Sequence, residues 1–364
     1  MAQDTESSAQ SSPNSSTIIT GPTSPHYATS SDGTLPAEPP TEITEDTDLT
    51  TLSAAQVYEL NQNLLDLTAD VQRPLVASVA PIAELRAEYE NGSHSFVQQI
   101  DYLQSQGYSS IRRTRGSLSI STFRIDIISK ILFMKGDGDC FYRSVAFAYV
   151  EKLIDAPEPA IAVAEALSIL EATPKLLESV GFENMVFEDF YEMLDELVRS
   201  VVSPDAAGNT LNEETLLKIF QNFETSNSIV VYLRMLTSAQ IRLDPETFAP
   251  FLFHPELGEP MGVREFCEHF VDATGKEAGM FKVCSSCISH GLPFCGSIDH
   301  VQMTALSKIL RLNVDVAYLD GRGSNGQVEF VKFQPEETSE AATSSPICLL
   351  YRPGHYDILV GPRR

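Results

Sequence analysis

The stretch "MKGDGDCFYRSVAFAYVEKL", residues 134–153, places a cysteine directly after a turn rich in glycine and aspartate. Apolar residues recur at helical spacing from Cys140 onward, which predicts an amphipathic helix over 140–154. At a helix start, unpaired backbone N–H groups and the positive end of the helix dipole stabilise a thiolate. The turn lets further N–H groups converge beside the sulfur, as an oxyanion hole for acyl transfer requires. Many cysteines near helix ends are simply packed, so this stretch alone does not decide between a reactive and a structural thiol.

A second stretch supplies what a cysteine nucleophile needs, a base and a group that orients it. In "LLYRPGHYDILV", residues 349–360, two strand-like runs flank a tight Arg-Pro-Gly turn, and His355 begins the second run. Asp357 follows two residues later, and side chains at i and i+2 of a strand share a face. The carboxylate can therefore hold the imidazole in the tautomer that a catalytic triad requires. The alternative, a surface histidine in a hairpin, explains a lone histidine better than it explains this pairing.

Charge and composition exclude several classes of function. The 364-residue chain has a formal net charge of -25 and a pI of about 4.5. Nucleic-acid binding needs concentrated Lys and Arg, whereas a basic protein or peptide partner suits this charge. The N-terminus shows no signal-peptide pattern, and the most apolar run, Ile125–Met134, is too short to span a bilayer. The six cysteines are therefore expected to be reduced, metal-bound or catalytic in the cytoplasm or nucleus.

The chain divides by composition into a tail and one domain. Residues 1–50 contain 25 Ser, Thr or Pro, eight acids and no Lys or Arg, which predicts a disordered acidic tail. Residues 51–364 are predicted to form a domain of the α/β (α+β) class, with helices packed around a modest sheet whose last strands end the chain. Helices are predicted over 52–68, 75–90, 93–106, 140–154, 158–170, 185–202, 211–224, 226–242, 262–273 and 299–311. Strands are predicted over 313–319, 327–333, 347–351 and 355–360.

The run "FEDFYEMLDELV", residues 187–198, offers pairs of carboxylates of the kind found in glycosidase sites. Its apolar residues form one helical stripe, which places the acids on the opposite, solvated face. The stripe consists of Phe187, Phe190, Tyr191, Leu194 and Val198. The run therefore predicts a surface helix rather than a site.

The run "VCSSCISHGLPFC", residues 283–295, could hold a small zinc site. Its candidate ligands are Cys284, Cys287, His290 and Cys295. The spacing is close to that of a zinc knuckle, but the middle gap is two residues too short. Zinc is the weaker interpretation because all four candidate ligands fall inside 279–298, a segment that interrupts the resemblance described below. The remaining histidines have weaker contexts still: His26 lies in the tail, His254 in a predicted loop, and His300 after a predicted helix N-cap, Asp299.

Taken together, "DGDCFYRS" (137–144) and "LLYRPGHYDIL" closely resemble the otubains, ovarian-tumour-type cysteine peptidases that cleave ubiquitin from proteins. Further runs are similar to otubain segments and follow in otubain order. They are "YSSIRRTRG" (108–116), "YLRMLTSAQIR" (232–242), "VREFCEHFV" (263–271) and "DHVQMTALSKILRLNVDVAYLD" (299–320). This set of motifs is highly specific, and it covers the chain from about residue 70 to the C-terminus.

The resemblance implies a papain-like fold, with a small central sheet packed between helices, and hydrolysis of (iso)peptide bonds at the C-terminal glycine of ubiquitin. It implies Cys140 as nucleophile, His355 as general base and Asp357 as the residue that orients the imidazole. Asp137 would belong to the catalytic loop and act through its backbone amide. The implied partners are ubiquitin, polyubiquitin and, as further candidates, ubiquitin-conjugating enzymes, with the region 52–106 helping to hold a second ubiquitin. Neither nucleic acid, a membrane, a metal nor a cofactor is implied.

The chain departs from the family pattern at the residue before the cysteine, where otubains usually have Asn and this sequence has Asp139. A carboxylate beside the sulfur disfavours the thiolate, unless Asp139 is turned away to cap the helix. The alternative function is therefore a module of the same fold that binds ubiquitin or a ubiquitin-conjugating enzyme without turnover, inactive through Asp139 or through the insertion over 117–136.

Two twenty-residue segments, 117–136 and 279–298, interrupt the resemblance. Otubains run almost directly from one flanking motif to the next in both places. The two segments leave the reading frame intact and together contain one acidic residue, Asp126, where the average composition of the chain gives about five. Our hypothesis is that both are retained introns, and natural insertions are the alternative.

Sequencing of the spliced transcript tests this hypothesis. The mature transcript is expected to lack the codons for 117–136 and for 279–298. One spliced transcript that encodes both segments would show instead that they are natural insertions.

Overall fold

The computed structural model describes residues 74–90, 94–115, 139–254, 257–272, 298–321, 326–335, 345–352 and 355–361. All of them belong to one unit of the chain, Thr44–Arg364. The predicted tail over 1–50, the predicted helix over 52–68 and segment 117–136 lie outside the described residues, as does 279–298 apart from Ile298. The division of the chain into a tail and one domain therefore stays a prediction.

The described residues form helices and strands in alternating groups. The strands are β1 (Val76–Pro81), β2 (Ser110–Thr114), β3 (Val314–Tyr318), β4 (Glu329–Phe333), β5 (Ile347–Arg352) and β6 (His355–Val360). The helices are α1 (Ile82–Tyr89), α2 (His94–Ser105), α3 (Asp139–Ile154), α4 (Pro159–Leu170), α5 (Thr173–Ser179), α6 (Asn184–Ser200), α7 (Glu213–Gln221), α8 (Phe223–Leu243), α9 (Pro245–Phe248), α10 (Val263–Phe266) and α11 (Ile298–Leu310). A 3-10 turn follows α9 at Ala249–Phe251, and a π-helical turn extends α10 over Cys267–Val271.

The strands form one mixed sheet in the order β1-β2-β6-β5-β3-β4. Neighbouring strands are antiparallel except β3 and β5, which run parallel. Strands β5 and β6 form the predicted hairpin, with Arg352 opposite His355. The predicted fold class, a small sheet packed between helices, is confirmed, and the last strand of the described chain lies inside the sheet rather than at its edge.

The sheet is covered on both faces because consecutive strand residues point into two different hydrophobic clusters. Leu349 and Ile358 pack with the larger cluster, which contains α3 to α8 and α11. Their neighbours Leu350 and Leu359 pack with the smaller cluster, which contains α1 and α2. Successive residues of the central strands are therefore apolar, whereas a strand with one solvated face alternates between apolar and polar residues.

Helix α3 is buried nearly all round. Among its residues only Glu151, Lys152 and Ile154 remain partly exposed. The helix contacts β6 and β5 of the sheet as well as α7 and α8, which leaves it no solvated face. The predicted amphipathic pattern is therefore wrong for this helix, since a helix that is enclosed on all sides is a core helix.

The chain forms a strand where residues 75–90 are predicted to be helical. Strand β1 ends at Pro81, and α1 begins only at Ile82. Pro81 has no N–H to donate inside a helix, so it suits the position just before one. The pairing partner of β1 is β2, a strand that was not predicted either. Pairing between two strands that lie far apart along the chain leaves no signal in the local periodicity of either strand.

Other helix predictions are confirmed. The predicted break between 211–224 and 226–242 falls at Asn222, whose side-chain oxygen accepts a hydrogen bond from the Thr225 N–H at 3.0 Å and so caps α8. Helix α6 buries Phe187, Leu194 and Val198, and it leaves most of its acidic residues exposed. The run 187–198 is thus a surface helix. Within the described ranges, none of the helices is long and apolar enough to cross a membrane.

The substitution Phe147→Ala is expected to destabilise the protein by about 3–5 kcal/mol, because it opens a cavity in the core. The Phe147 ring is fully buried, packs edge-on against Phe220 at a centroid distance of 5.3 Å, and lies 4.5 Å from the Arg112 guanidinium. Urea denaturation followed by circular dichroism measures the loss. The matched control is Phe251→Ala, at a side chain that is 54% exposed, and it should cost less than about 1 kcal/mol. Equal losses for the two variants would contradict the burial described for Phe147.

Candidate active site

Cys140 lies at the start of the core helix. It is the second residue of α3 and is 3% exposed. The first backbone N–H groups of a helix have no partner within the helix, so its N-terminus favours a negatively charged sulfur. Asp137 and the rest of the turn 136–138 lie outside the described residues. The place of Asp137 in an oxyanion hole therefore stays a prediction.

The β5–β6 hairpin brings an imidazole and a carboxylate to the same point. His355 Nε2 and Asp357 Oδ1 are 3.0 Å apart, as the spacing of two residues along a strand predicts. The Cys140 side chain lies close enough to His355 to raise the pKa of the imidazole, and the His355 side chain keeps 28% of its surface exposed. The structure therefore places three of the four predicted site residues together, in the order thiol, imidazole, carboxylate.

The charges of this group determine its protonation states. Burial by itself lowers the pKa of His355, but the Asp357 carboxylate and the Cys140 side chain raise it, to about 10. Burial by itself raises the pKa of Asp357, but the imidazole, the Arg352 guanidinium and the Thr114 N–H hold it well below its usual range. At neutral pH His355 is therefore an imidazolium and Asp357 a carboxylate. A positive charge at this position favours the negatively charged form of a neighbouring sulfur.

Asp357 is fully buried, and donors from three strands surround its carboxylate. The Thr114 N–H of β2 donates to Oδ1 at 3.0 Å. Arg352 of β5 donates to Oδ2 through Nε at 3.0 Å and through Nη2 at 2.6 Å. Since both oxygens are held, the His355 imidazole meets an acceptor whose position is fixed.

Arg352 and Thr114 were not predicted from the sequence as site residues. The run "YRPGH" does carry a signal for Arg352, because an antiparallel hairpin with a two-residue turn places it opposite His355. Thr114 carries no such signal, since β2 was not predicted and its contact with Asp357 joins residues 243 positions apart.

The Thr114 hydroxyl also fixes α3 relative to β6. It donates to the Tyr356 carbonyl at 2.6 Å and lies 2.8 Å from the Ser144 hydroxyl. Ser144, one helical turn beyond Cys140, donates to the same Tyr356 carbonyl at 3.3 Å. These contacts set the distance between the helix that carries the thiol and the strand that carries the imidazole.

Asp139 is directed at a guanidinium. It is the first residue of α3 and is 4% exposed. Arg234 of α8 donates to its Oδ1 through Nε at 2.8 Å and through Nη2 at 2.6 Å. The carboxylate beside the sulfur is therefore compensated, because a positive charge that local sequence does not reveal lies against it.

His300 is a packed residue outside this group. Its Nε2 lies 2.6 Å from the Tyr318 hydroxyl, and burial lowers its pKa to about 4. Helix α11 already begins at Ile298, so the prediction of Asp299 as its N-cap is wrong. Asp299 accepts a hydrogen bond from the Tyr356 hydroxyl at 2.8 Å, and burial raises its pKa to about 6. This contact ties α11 to the strand of the candidate site.

The predicted zinc ligands lie outside the described residues, as does His26. These ligands are Cys284, Cys287, His290 and Cys295. In the part of the chain that the structure describes, His, Cys, Asp and Glu side chains do not gather into a group of three that could hold a metal. Burial raises the pKa of the Cys348 thiol and that of the Cys267 thiol, the latter to about 11. Neither thiol is therefore ionised at neutral pH.

Comparison with known proteins points to one family. The family model described as Peptidase C65 Otubain matches residues 128–361. The "OVARIAN TUMOR DOMAIN-containing deubiquitinating enzyme 1" of Arabidopsis thaliana is 29% identical over 293 residues, which cover 79% of this chain and 80% of that protein. "Ubiquitin thioesterase OTUB2" of Homo sapiens is 31% identical over 225 residues, which cover 62% of this chain and 78% of that protein.

Solved structures show the same fold. The structure of h/ceOTUB1-ubiquitin aldehyde-UBC13~Ub matches with a TM-score of 0.60 at 24% identity, over 85% of this chain and 100% of that chain. The structure of h/ceOTUB1-ubiquitin aldehyde-UBCH5B~Ub matches with a TM-score of 0.59 at 25% identity, over 85% of this chain and 98% of that chain. Both likenesses extend well beyond the site.

The substitution Asp357→Asn is expected to lower the free energy of unfolding most strongly at mildly acidic pH. The pKa of Asp357 is lowered in the folded protein, so its stabilising contribution is present above the ordinary value of 3.8 and is lost as the pH falls below it. The pKa of His355 is raised, so its contribution is complete below the ordinary value of 6.5 and is lost as the pH rises towards about 10. The difference between the unsubstituted and substituted proteins should therefore be largest between about pH 4 and about pH 6.5.

Urea denaturation at about pH 3, 5.5 and 9 measures this difference. Asp189→Asn, on the exposed face of α6, is the matched control and should change the free energy of unfolding little at any of them. A loss for Asp357→Asn that stays constant across the three conditions would contradict the ion-pair description.

Proposed function

The chain belongs to the otubain family of cysteine peptidases, and on this premise we propose that it is a deubiquitinating enzyme that hydrolyses (iso)peptide bonds at the C-terminal glycine of ubiquitin. Cys140 is the proposed nucleophile, His355 the general base, and Asp357 the residue that orients the imidazole. The observation that supports these roles is the contact of His355 with both other side chains. Relatives that match over about four-fifths of this chain are named ubiquitin thioesterase and deubiquitinating enzyme.

The reaction starts from the Cys140–His355 ion pair. Because the imidazolium already holds the proton, the Cys140 sulfur attacks the carbonyl carbon of the terminal glycine of ubiquitin as a thiolate. The carbonyl oxygen becomes an oxyanion, which accepts hydrogen bonds from backbone N–H groups at the start of α3. By the family resemblance, the Asp137 amide contributes to the same hole.

His355 then changes from a base into an acid. It gives its proton to the departing lysine amine as the C–N bond breaks, which leaves ubiquitin attached to Cys140 as a thioester. The neutral imidazole next takes a proton from a water molecule, whose oxygen attacks the thioester carbonyl. Collapse of this intermediate expels the Cys140 thiolate and restores the ion pair, and the released carboxylic acid of ubiquitin loses its proton to solvent. Asp357 stays ionised throughout and keeps the imidazole facing the sulfur.

The proposed partners are ubiquitin and polyubiquitin. The C-terminal tail of ubiquitin carries arginines, and the net charge of -25 on this chain complements them. A ubiquitin-conjugating enzyme is a second proposed partner, since a solved relative is a complex with ubiquitin aldehyde and UBCH5B~Ub. The proposed compartment is the cytoplasm or the nucleus, where a catalytic thiol stays reduced.

The alternative function is a module that binds the same partners without turnover. Two features of the sequence suggested it: Asp139 and segment 117–136. The contact between Asp139 and Arg234 weighs against the first. Segment 117–136 still supports a module without turnover, because it ends at Gly136, directly before the predicted oxyanion turn.

A ubiquitin that carries a cysteine-reactive electrophile at its C-terminus tests the proposal. The 364-residue protein is expected to gain the mass of one ubiquitin, and Cys140→Ala is expected to gain none. Intact-protein mass spectrometry measures the adduct. In a diubiquitin cleavage assay, His355→Ala should be roughly 10²- to 10⁴-fold slower than the unsubstituted protein.

Cys267→Ala is the matched control, since it removes another buried thiol and should leave the adduct intact. Circular dichroism confirms that each variant is folded. Adduct formation that survives Cys140→Ala would overturn the assignment of the nucleophile. Ubiquitin binding without adduct or turnover, by folded unsubstituted protein, would favour the alternative module.

A further inference from the structure

A buried ion pair lies directly beside the proposed nucleophile. Asp139 is 4% exposed, and Arg234 is 1% exposed. Two nitrogens of the guanidinium donate to the same carboxylate oxygen, at 2.8 Å and 2.6 Å. The residues are 95 positions apart, so the pair joins the first residue of α3 to the middle of α8.

Other contacts hold Arg234 in place independently of Asp139. Its Nη1 donates to the Val271 carbonyl at 3.2 Å, and its guanidinium lies 4.9 Å from the centre of the Tyr142 ring. Burial raises the pKa of the Tyr142 hydroxyl, so that ring stays neutral. An arginine side chain is protonated at any pH that a folded protein meets. The site therefore has a permanent positive charge at a fixed place.

The two members of this pair have opposite effects on a neighbouring thiol. An uncompensated carboxylate disfavours a thiolate beside it, and an uncompensated guanidinium favours one. Loss of either partner also leaves a buried charge without its counter-ion, which is strongly unfavourable. Only together do the two side chains leave the sulfur close to electrical balance.

We propose that Arg234 is a positioning residue for the reaction: it neutralises Asp139 and fixes the start of α3, so that the adjacent Cys140 is held as a thiolate. The inference rests on the proposed role of Cys140 as nucleophile. It accounts for an aspartate directly before the proposed nucleophile, because α8 supplies the charge that the aspartate requires.

Other charged groups face the same region and are common to every variant in the test. His355 and Asp357 approach Cys140 from β6. Asp299 approaches α3 from α11. On α3 itself, Arg143 donates to two neutral side chains of α8, and β2 contributes the neutral hydroxyl of its last residue. A change in the behaviour of Cys140 on substitution of Arg234 is therefore attributable to the Asp139–Arg234 pair.

The rate at which iodoacetamide alkylates Cys140, measured against pH, reports the thiolate directly. Peptide-resolved mass spectrometry separates Cys140 from the other five cysteines. Four full-length proteins are compared: the unsubstituted chain, Arg234→Met, Asp139→Asn and the double variant. Methionine removes the charge of Arg234 but fills much of its buried volume.

The two single substitutions are expected to shift the pH midpoint of alkylation in opposite directions. The midpoint should rise by about one pH unit in Arg234→Met and fall by about one unit in Asp139→Asn. The double variant should return to within about half a unit of the unsubstituted chain, since neither charge remains. A purely structural role would move both single variants in the same direction or move neither.

Arg112→Met is the matched control, because it removes another buried arginine that pairs with carboxylates. Arg112 donates to Glu151 and Glu213, and Glu151 lies about 18 Å along α3 from Asp139. This variant should leave the midpoint unchanged. If Arg234→Met does not fold, Arg234→Lys should keep the midpoint within about half a unit and Asp139→Asn should still lower it. A midpoint that does not fall in folded Asp139→Asn overturns the proposal.

The assay separates this inference from the proposed function, because alkylation requires no ubiquitin. Failure of the proposed function would appear as an absent ubiquitin adduct from a protein whose midpoints shift as expected. Failure of the inference would appear as unshifted midpoints in a protein that does form the adduct.

Discussion

One buried carboxylate holds the candidate site together. Asp357 is negatively charged at a position without solvent exposure, which costs several kcal/mol unless donors surround it. The donors are the Thr114 amide, the Arg352 guanidinium and the His355 imidazole, one each from β2, β5 and β6. These three strands must therefore be paired in register before the charge is compensated. The strand order that compensates the Asp357 charge therefore also determines the orientation of the His355 imidazole.

The second constraint is the burial of the helix that carries the thiol. Because α3 is enclosed by the sheet and by other helices, its polar groups at the N-terminal end cannot rely on water. Ser144 meets the Thr114 hydroxyl, and Asp139 meets Arg234. A close-packed core with satisfied polar groups has little freedom to relax. The same contacts that make burial tolerable therefore fix the thiol of Cys140 against the imidazole.

Local sequence sufficed where a residue depends on its near neighbours. Cys140 was placed at a helix start by the helical spacing of the apolar residues that follow it, and His355 was paired with Asp357 by strand periodicity, which the fold reproduces. The sequence could not reveal pairs that only the fold creates, such as Thr114 with Asp357 or the guanidinium opposite Asp139. For the same reason β1 was predicted to be helical, since its apolar residues fit a helix until the pairing with β2 is known.

These contacts also bear on segment 117–136. The described chain stops at Arg115, whose carbonyl accepts a hydrogen bond from α3 at 2.8 Å, and resumes at Asp139, which is bonded to α8. The described residues on both sides of the segment are thus held by hydrogen bonds to α3 and α8. What the segment can alter is the path of the chain into the turn 136–138, whose amides are expected to receive the oxyanion. A defect caused by the segment would therefore slow the proposed acylation step without changing the proposed ion pair of Cys140 and His355, because a misplaced oxyanion hole acts on the transition state and not on the resting state.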